Sequence, residues 1–167
     1  MDEIACKIVE TAAEREGHFA VRRAVFVEEQ GLFAATDVDE HDDHAILMVA
    51  VDTRTGAVVG AVRCVAAGDD VWYGGRLAVL RAYRRHRAAI GARLCRLAEA
   101  TVIAHGCRRF LAYIQMRNVP FFEHLGWTCV GDPIVHYGRP HQIMAASLAA
   151  ATYPIDRSLI MKDVVHA

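Results

Sequence analysis

The chain has 167 residues, a formal charge of −1 and a pI of about 6.7. The length suits one compact domain with a substantial core. The charge balance excludes a global field that would draw the protein to nucleic acid or to a membrane surface. No run of 18 apolar residues occurs and the opening MDEIACKIVE is acidic, without a signal-like apolar core. A cytoplasmic location is therefore expected.

In chain order, ACKIVE (5–10) reads as a short first strand. HFAVRRAVFVEEQG (18–31) has helical apolar spacing and a closing glycine. FAATDVDEHDDH (33–44) reads as an acidic loop, exposed as a lip toward a cationic substrate. AILMVAV (45–51) and AVVGAVRCV (57–65), joined by DTRTG, predict a β-hairpin. VWYGGRLAVL (71–80) is a third strand, and its paired glycines Gly74 and Gly75 signal a bulge or a close backbone approach. Residues 88–105 form the clearest amphipathic helix, ended by Gly106. RRFLAYIQ (108–115) is a strand, VPFFEHLG (119–126) a short helix, and WTCVG (127–131) and HQIMAASL (141–148) are final strands around a proline-containing loop. The pattern predicts one mixed α/β domain over 1–150, mostly antiparallel, with a tail at 151–167. The apolar final strands offer a surface for a homodimer.

The five cysteines, 6, 64, 95, 107 and 129, are odd in number and never spaced C-x-x-C, as expected of reduced, mostly buried thiols. The acidic loop fails as an EF-hand, because a loop begun at Asp37 lacks glycine at position six and glutamate at position twelve. No metal is expected.

The charge distribution is uneven. Between Asp70 and Glu99 there is no acidic residue, yet arginine stands at 76, 81, 84, 85, 87, 93 and 96. Arg84, Arg85 and Arg87 precede the start of the long helix, where unpaired N–H groups already carry partial positive charge. Such a start suits a bound anion, and the small residues Ala88, Ala89, Gly91 and Ala92 leave room for phosphate oxygens.

LAVLRAYRRHRAAIGARL resembles the signature of the GNAT acetyltransferase superfamily. That signature is a strand ending in L-x-V followed by Q/R-x-x-G-x-G/A at a helix start. His86 stands at the Q/R position, Ala89 at the first glycine and Gly91 at the last. VFVEEQGLFAATDVDEHD is similar to the V-F-x-x-E-Q…D-x-D segment of small stand-alone bacterial members, and QMRNVPFFEHLGW to their F-Y-x-x-x-G-F segment.

The resemblance implies a GNAT-like sheet flanked by helices, and acetyl transfer from acetyl-CoA to the primary amine of a small acceptor, amino-acid-like or polyamine-like. It implies a pyrophosphate cradle over Arg84, Arg85, His86, Arg87, Ala88, Ala89, Ile90, Gly91 and Ala92. Backbone groups of Leu77, Ala78 and Val79 would meet the pantetheine and thioester, with Asn118, Phe121 and Phe122 on the other side. Glu28 or Glu29 is implied near the acceptor, with Asp37 and Asp39 as further candidates for the base. The family's general-acid tyrosine falls at Phe122, leaving Tyr83, Tyr113 and Tyr137 as alternatives. Two other readings share these features: an acyl-CoA-binding module without turnover, favoured by Phe122, and an acyl-homoserine-lactone-type synthase.

Overall fold

The computed structural model describes residues 2–148. The 151–167 tail lies outside the described residues. β1 (Ile4–Ile8), β2 (Ile46–Asp52), β3 (Ala57–Gly68) and β4 (Val71–Val79) form an antiparallel meander. β5 (Arg109–Gln115) joins parallel to β4, and β8 (Arg139–Ala145) closes antiparallel on β5. The short β6 (Thr128–Cys129) and β7 (Ile134–His136) both pair with β8. The order β1-β2-β3-β4-β5-β8-β6 gives one mixed, mostly antiparallel sheet. Among the described residues no helix is long and apolar enough to cross a membrane.

One sheet face carries α2 (Ile90–Ala104) and the short α3 (Val119–His124). Ile90, Leu94, Ala98 and Val102 of α2 interlock with Met48, Val62, Trp72 and Phe110 in the larger core. Gly60 allows the helix this close: a Cβ there would stand 2.9 Å from Leu94 Cδ1 and 3.1 Å from Ile90 Cγ2. Gly74 serves packing likewise, since a Cβ would stand 2.8 Å from Phe110 Cζ.

The opposite face carries α1 (Ala12–Arg22), continued by a π-helical segment, Arg23–Glu29. The helix begins six residues before the expected 18 because T-A-A-E forms a capping box: Thr11 Oγ1 accepts from Glu14 N–H at 3.1 Å, and Glu14 accepts back from Thr11 N–H at 3.0 Å. The wider π winding, in which Gln30 N–H donates to Val25 C=O at 2.9 Å, brings both Val25 and Phe26 onto the sheet.

The acidic 33–44 segment is not the solvated lip expected. Asp37 and Asp42 are buried, and a 3₁₀ turn spans Glu40–Asp43. Three arginines from three elements hold it. Arg22, with no exposed surface, donates from Nε to Asp37 Oδ2 at 2.7 Å and from Nη1 to Asp42 Oδ1 at 2.6 Å. Arg63 grips Asp39 with two bonds of 2.7 and 2.9 Å. Arg76 reaches Asp37 Oδ2 at 3.1 Å and the Asp37 carbonyl at 2.9 Å. A buried guanidinium is tolerated only when its donors are filled and its charge matched, and removing one partner of such a pair costs about 3–5 kcal/mol.

His18 completes this network. Its Nδ1 lies 3.0 Å from the Met48 carbonyl and its Nε2 3.2 Å from Arg22 Nη1. Since Arg22 only donates, the ring must carry its proton on Nδ1. Burial pushes the His18 ring down from 6.5 to about 4. The unfolded chain therefore binds a proton below pH 6.5 that the folded chain refuses until about pH 4, so stability falls with pH across that window. The loss reaches about 3 kcal/mol at the acid end. Asp42, held far below its ordinary 3.8 against burial by hydrogen bonds from Arg22 and the Asp39 N–H, adds a further loss below that value. Urea unfolding at pH 7 and pH 4.5 is expected to show this decline, and H18Q to flatten it.

Candidate active site

β4 and β5 begin side by side and then part. Their ladder runs from Val71–Arg109 to Gly74–Ala112 and ends there. The cause lies in β4. Ala61 of β3 faces Ala78 while Arg63 faces Gly75, so β4 holds two residues where β3 holds one. Arg76, at φ 56°, is in the left-handed region and forms this bulge. The bulge bends β4 away from β5 and leaves a wedge between Leu77–Val79 and Tyr113–Gln115.

Peptide groups alternate direction along a strand. Ala78 pairs with Ala61 and Leu80 N–H donates to Val59 C=O at 2.9 Å, so both face β3. Leu77 and Val79 therefore turn their N–H and C=O groups into the wedge. This corrects the expectation for Ala78, whose N–H faces β3 and not the wedge. The Val79 carbonyl already accepts from Arg84 Nε at 3.0 Å.

At the wedge's open end α2 begins. Ala89, the N-cap, sits at φ 49°, ψ 60°, and no side chain caps the helix. Ala89 N–H is not available as expected, because it donates to His86 C=O at 3.0 Å; Ala88 N–H donates to His86 Nδ1 at 3.1 Å. The N–H groups that remain without intrahelical partners are those of Ile90, Gly91 and Ala92. A left-handed residue followed by helical ones makes a concave set of donors suited to an anion. Space permits one: a Cβ on Gly91 would meet only Phe121 Cζ at 3.5 Å and Val79 Cγ2 at 3.9 Å.

The cationic pole is largely neutralised from within. Arg84 is bound by both nitrogens to the Glu29 carboxylate, Arg87 pairs with Glu3 at 3.4 Å, and Arg93 with Asp2 at 3.0 Å. Arg96 pairs with Glu99 at 2.9 Å. Among the described residues Arg81 and Arg85 make no ion pair and are exposed. Arg84 is thus a clasp between the π segment and the end of β4 rather than a free phosphate ligand.

The remaining expected residues divide sharply. Phe121 is exposed beside Gly91, and Asn118, also exposed, precedes α3. Phe122 belongs to the core, edge-on to Trp127 with ring centroids 5.3 Å apart, so it does not flank the wedge. Glu28 is exposed and pairs with Arg23 at 3.6 Å. Glu29 is held below the ordinary carboxylate range, chiefly by its hydrogen bond from Arg84, and is a poor base. Asp37 and Asp39 are consumed by the arginine network. Tyr83 donates to Asp52 Oδ2 at 2.9 Å.

Tyr113 stands one residue past the point where β5 leaves β4, stacked between Tyr73 (5.7 Å) and His136 (4.6 Å). Burial, then Tyr73, pushes its phenol above 10, so it keeps its proton. His136 was missed in the sequence, where 132–140 read as a loop. Residues 134–145 instead form a hairpin about Tyr137 and Gly138, at φ 52° and 70°. Two left-handed residues are the mark of a type I′ turn, and Y-G announces it far more faintly than N-G. Burial, then His141 and Arg76, lowers His136 below 6.5, leaving a neutral imidazole at pH 7. Among the described residues no group of three His, Cys, Asp or Glu side chains is placed to hold a metal.

The sequence matches the acetyltransferase (GNAT) family over residues 10–127, well over half its length. The chain belongs to that family. A Bacillus subtilis (strain 168) protein provisionally named an acetyltransferase is 28% identical over 127 residues, which are 75% of this chain and 84% of the relative. A Lactobacillus plantarum crystal structure, provisionally named an N-acetyltransferase, superposes with a TM-score of 0.78 at 26% identity, covering 88% of this chain and 99% of that one. The fold alone is shared with an aminoglycoside 6'-N-acetyltransferase complexed with coenzyme A, at a TM-score of 0.69 and 18% identity over 90% of this chain and 99% of that one. This GNAT protein is an acyltransferase, and its family acts with acetyl-CoA or another acyl-CoA on small-molecule acceptors.

Ala89 yields a stability test. An alanine in the left-handed region carries about 1 kcal/mol of strain that glycine lacks. A89G is expected to match or exceed the parent in urea midpoint, against the usual loss when a helix-end alanine becomes glycine. A clear drop would show that Ala89 is unstrained.

Proposed function

We propose that the protein is an N-acetyltransferase that moves the acetyl group of acetyl-CoA to the primary amine of a small amino-acid-like or polyamine-like acceptor. The observation that carries this is the wedge between β4 and β5 opening onto the uncapped start of α2. The two features offer, in line, strand peptide groups for an extended amide-bearing chain and helix N–H groups for a diphosphate. The Leu77 and Val79 peptides would hold the pantetheine, the Ile90, Gly91 and Ala92 N–H groups the pyrophosphate, with Arg85 drawing it in. Phe121 and Asn118 border the path. Residues 1–150 are taken as one such domain.

Chemistry needs a neutral amine, a donor for the carbonyl oxygen and a proton for the leaving sulfur. His136 supplies the first by taking one proton from the acceptor's ammonium before attack. The neutral amine then bonds to the thioester carbon, the Val79 N–H faces the resulting oxyanion, and the C–S bond breaks. Tyr113 gives its proton to the departing thiolate, the second proton of the new amide nitrogen restores the Tyr113 phenol, and His136 releases its proton to solvent. Placing acid and base on Tyr113 and His136 follows from Phe122 being locked in the core and the four carboxylate candidates being exposed or paired away.

Two measurements test the placement. G91A fits the contacts around Gly91 and is expected to keep acetyl-CoA affinity within about threefold, whereas G91W fills the cradle and abolishes binding in a folded protein. Unchanged affinity in folded G91W rules the cradle out. For the base, H136Q is expected to lower kcat by about 10²–10⁴-fold with the KM for acetyl-CoA nearly unchanged. The parent's rate should rise with pH through a midpoint below 6.5, as the ring loses its proton, and then level, and that acid limb should vanish in H136Q.

A further inference from the structure

The acceptor's charge is written in a groove beside the wedge. Gln115, Met116, Arg117, Arg139 and Pro140 line an open groove of about 210 Å³. Gln115 is the last residue of β5, three past Ala112 where pairing with β4 ends, and it sits opposite His141 of β8. The groove therefore opens at the same end of β5 as the wedge, on the side of the β7–β8 hairpin.

Its walls are cationic and unmatched. Arg139 donates from Nη2 to the Gln30 carbonyl at 2.8 Å, which fixes the side chain without neutralising it. Arg117 is exposed and has no hydrogen bond or ion pair among the described residues. The carboxylate whose ionisation Arg117 favours is Glu29, and Glu29 is already engaged by Arg84 through both oxygens. Arg81, which also bears on Glu29, has no ion partner among the described residues either. In the acidic 33–44 segment Asp37, Asp39 and Asp42 are spent on Arg22, Arg63 and Arg76, which leaves Glu40 and Asp43 as its exposed carboxylates, and neither lines the groove. A diamine or polyamine entering here would meet like charge.

From this we infer that the acceptor carries a carboxylate, seated between Arg117 and Arg139, and that its amine points toward the wedge. This rests on the acetyltransferase reading above and selects the amino-acid-like acceptor over the polyamine. Guanidinium groups match planar carboxylates through paired N–H donors, and charged hydrogen bonds of this kind are worth about ten- to a hundredfold in binding.

The test is CoA release by the full-length protein from acetyl-CoA with glycine, leucine and phenylalanine, each against its amide, and with putrescine. Amides have the less basic amine, so charge neutrality alone favours them. A kcat/KM at least about tenfold higher for the free acids supports the inference. In R117Q that ratio should shrink toward one, and in R117E it should invert, with the KM for acetyl-CoA unchanged. Equal or better turnover of amides or putrescine overturns the carboxylate seat while leaving acetyl transfer intact. A loss that falls on acetyl-CoA instead overturns it too, by assigning the cations to the coenzyme's phosphates. If no amine releases CoA, the acetyltransferase reading fails by itself. The groove is then decided by titrating N-acetylleucine into the CoA-loaded protein: binding weakened in R117Q upholds the seat, and no binding overturns it.

Discussion

The contact between Arg76 and Asp37 sets the geometry of the site. Arg76 occupies a left-handed backbone position that a long side chain seldom takes, and this residue makes the extra step in β4 that parts it from β5. Such a conformation persists when its surroundings over-determine it. Here they do: the guanidinium is bonded to the Asp37 carboxylate and carbonyl, and lies over the Phe33 and Tyr137 rings at 4.7 and 5.5 Å. Asp37 is in turn fixed by the fully buried Arg22 of α1. The chain of contacts runs from helix to loop to bulge, so the wedge is held open by charges far from where an acyl group would sit.

The same network explains the local electrostatics. Asp37, Asp39 and Asp42 complete the coordination of three arginines, so their charge is matched within the loop's own packing. At the start of α2 the acidic residues of the N-terminal strand region do the converse, with Asp2 on Arg93 and Glu3 on Arg87. Among the described residues, positive groups without an ion partner near the site are the first N–H groups of α2, Arg81 and Arg85, and Arg117 with Arg139 at the groove. A chain whose total charge is near zero thus keeps part of its unpaired positive charge beside the wedge.

Much of this was legible in the sequence. Apolar runs bounded by turn residues marked β2 to β5, the 3.6-residue spacing marked α2, and Gly91 with its small neighbours marked the helix start. The GNAT signature tied these to one family. The illegible part was pairing between distant side chains. D-V-D-E-H-D-D reads as a solvated loop because nothing local shows that Arg22, Arg63 and Arg76 converge on it. The arginine run before α2 looked like a free cationic pole because its partners lie some 80 residues upstream, or at Glu29. Arg76 escaped notice because left-handed backbone is expected at glycine, and the neighbouring Gly74 and Gly75 drew the bulge signal. His136 was hidden by a turn whose tyrosine gives little warning of its conformation.

Phe122 shows how one substitution reorganises what the site can do. A tyrosine hydroxyl at that position needs a polar partner or water, and the space around Phe122 is filled by Trp127 and Phe121 rings. Burying a hydroxyl there without a partner would cost about 1–3 kcal/mol. Phe122 thus serves packing, and in the proposed reaction proton chemistry would come from the other face of the sheet. That face holds Tyr73, Tyr113, His136 and His141 in ring contact, with Tyr113 raised and His136 lowered from their ordinary pKa values. In the proposed reaction the first would keep a proton to give and the second would be free to take one. The ring contacts also fix Tyr113 and His136 relative to β5, so under the proposed acetyl transfer their positions would follow the same strand edge that the Arg76 bulge exposes.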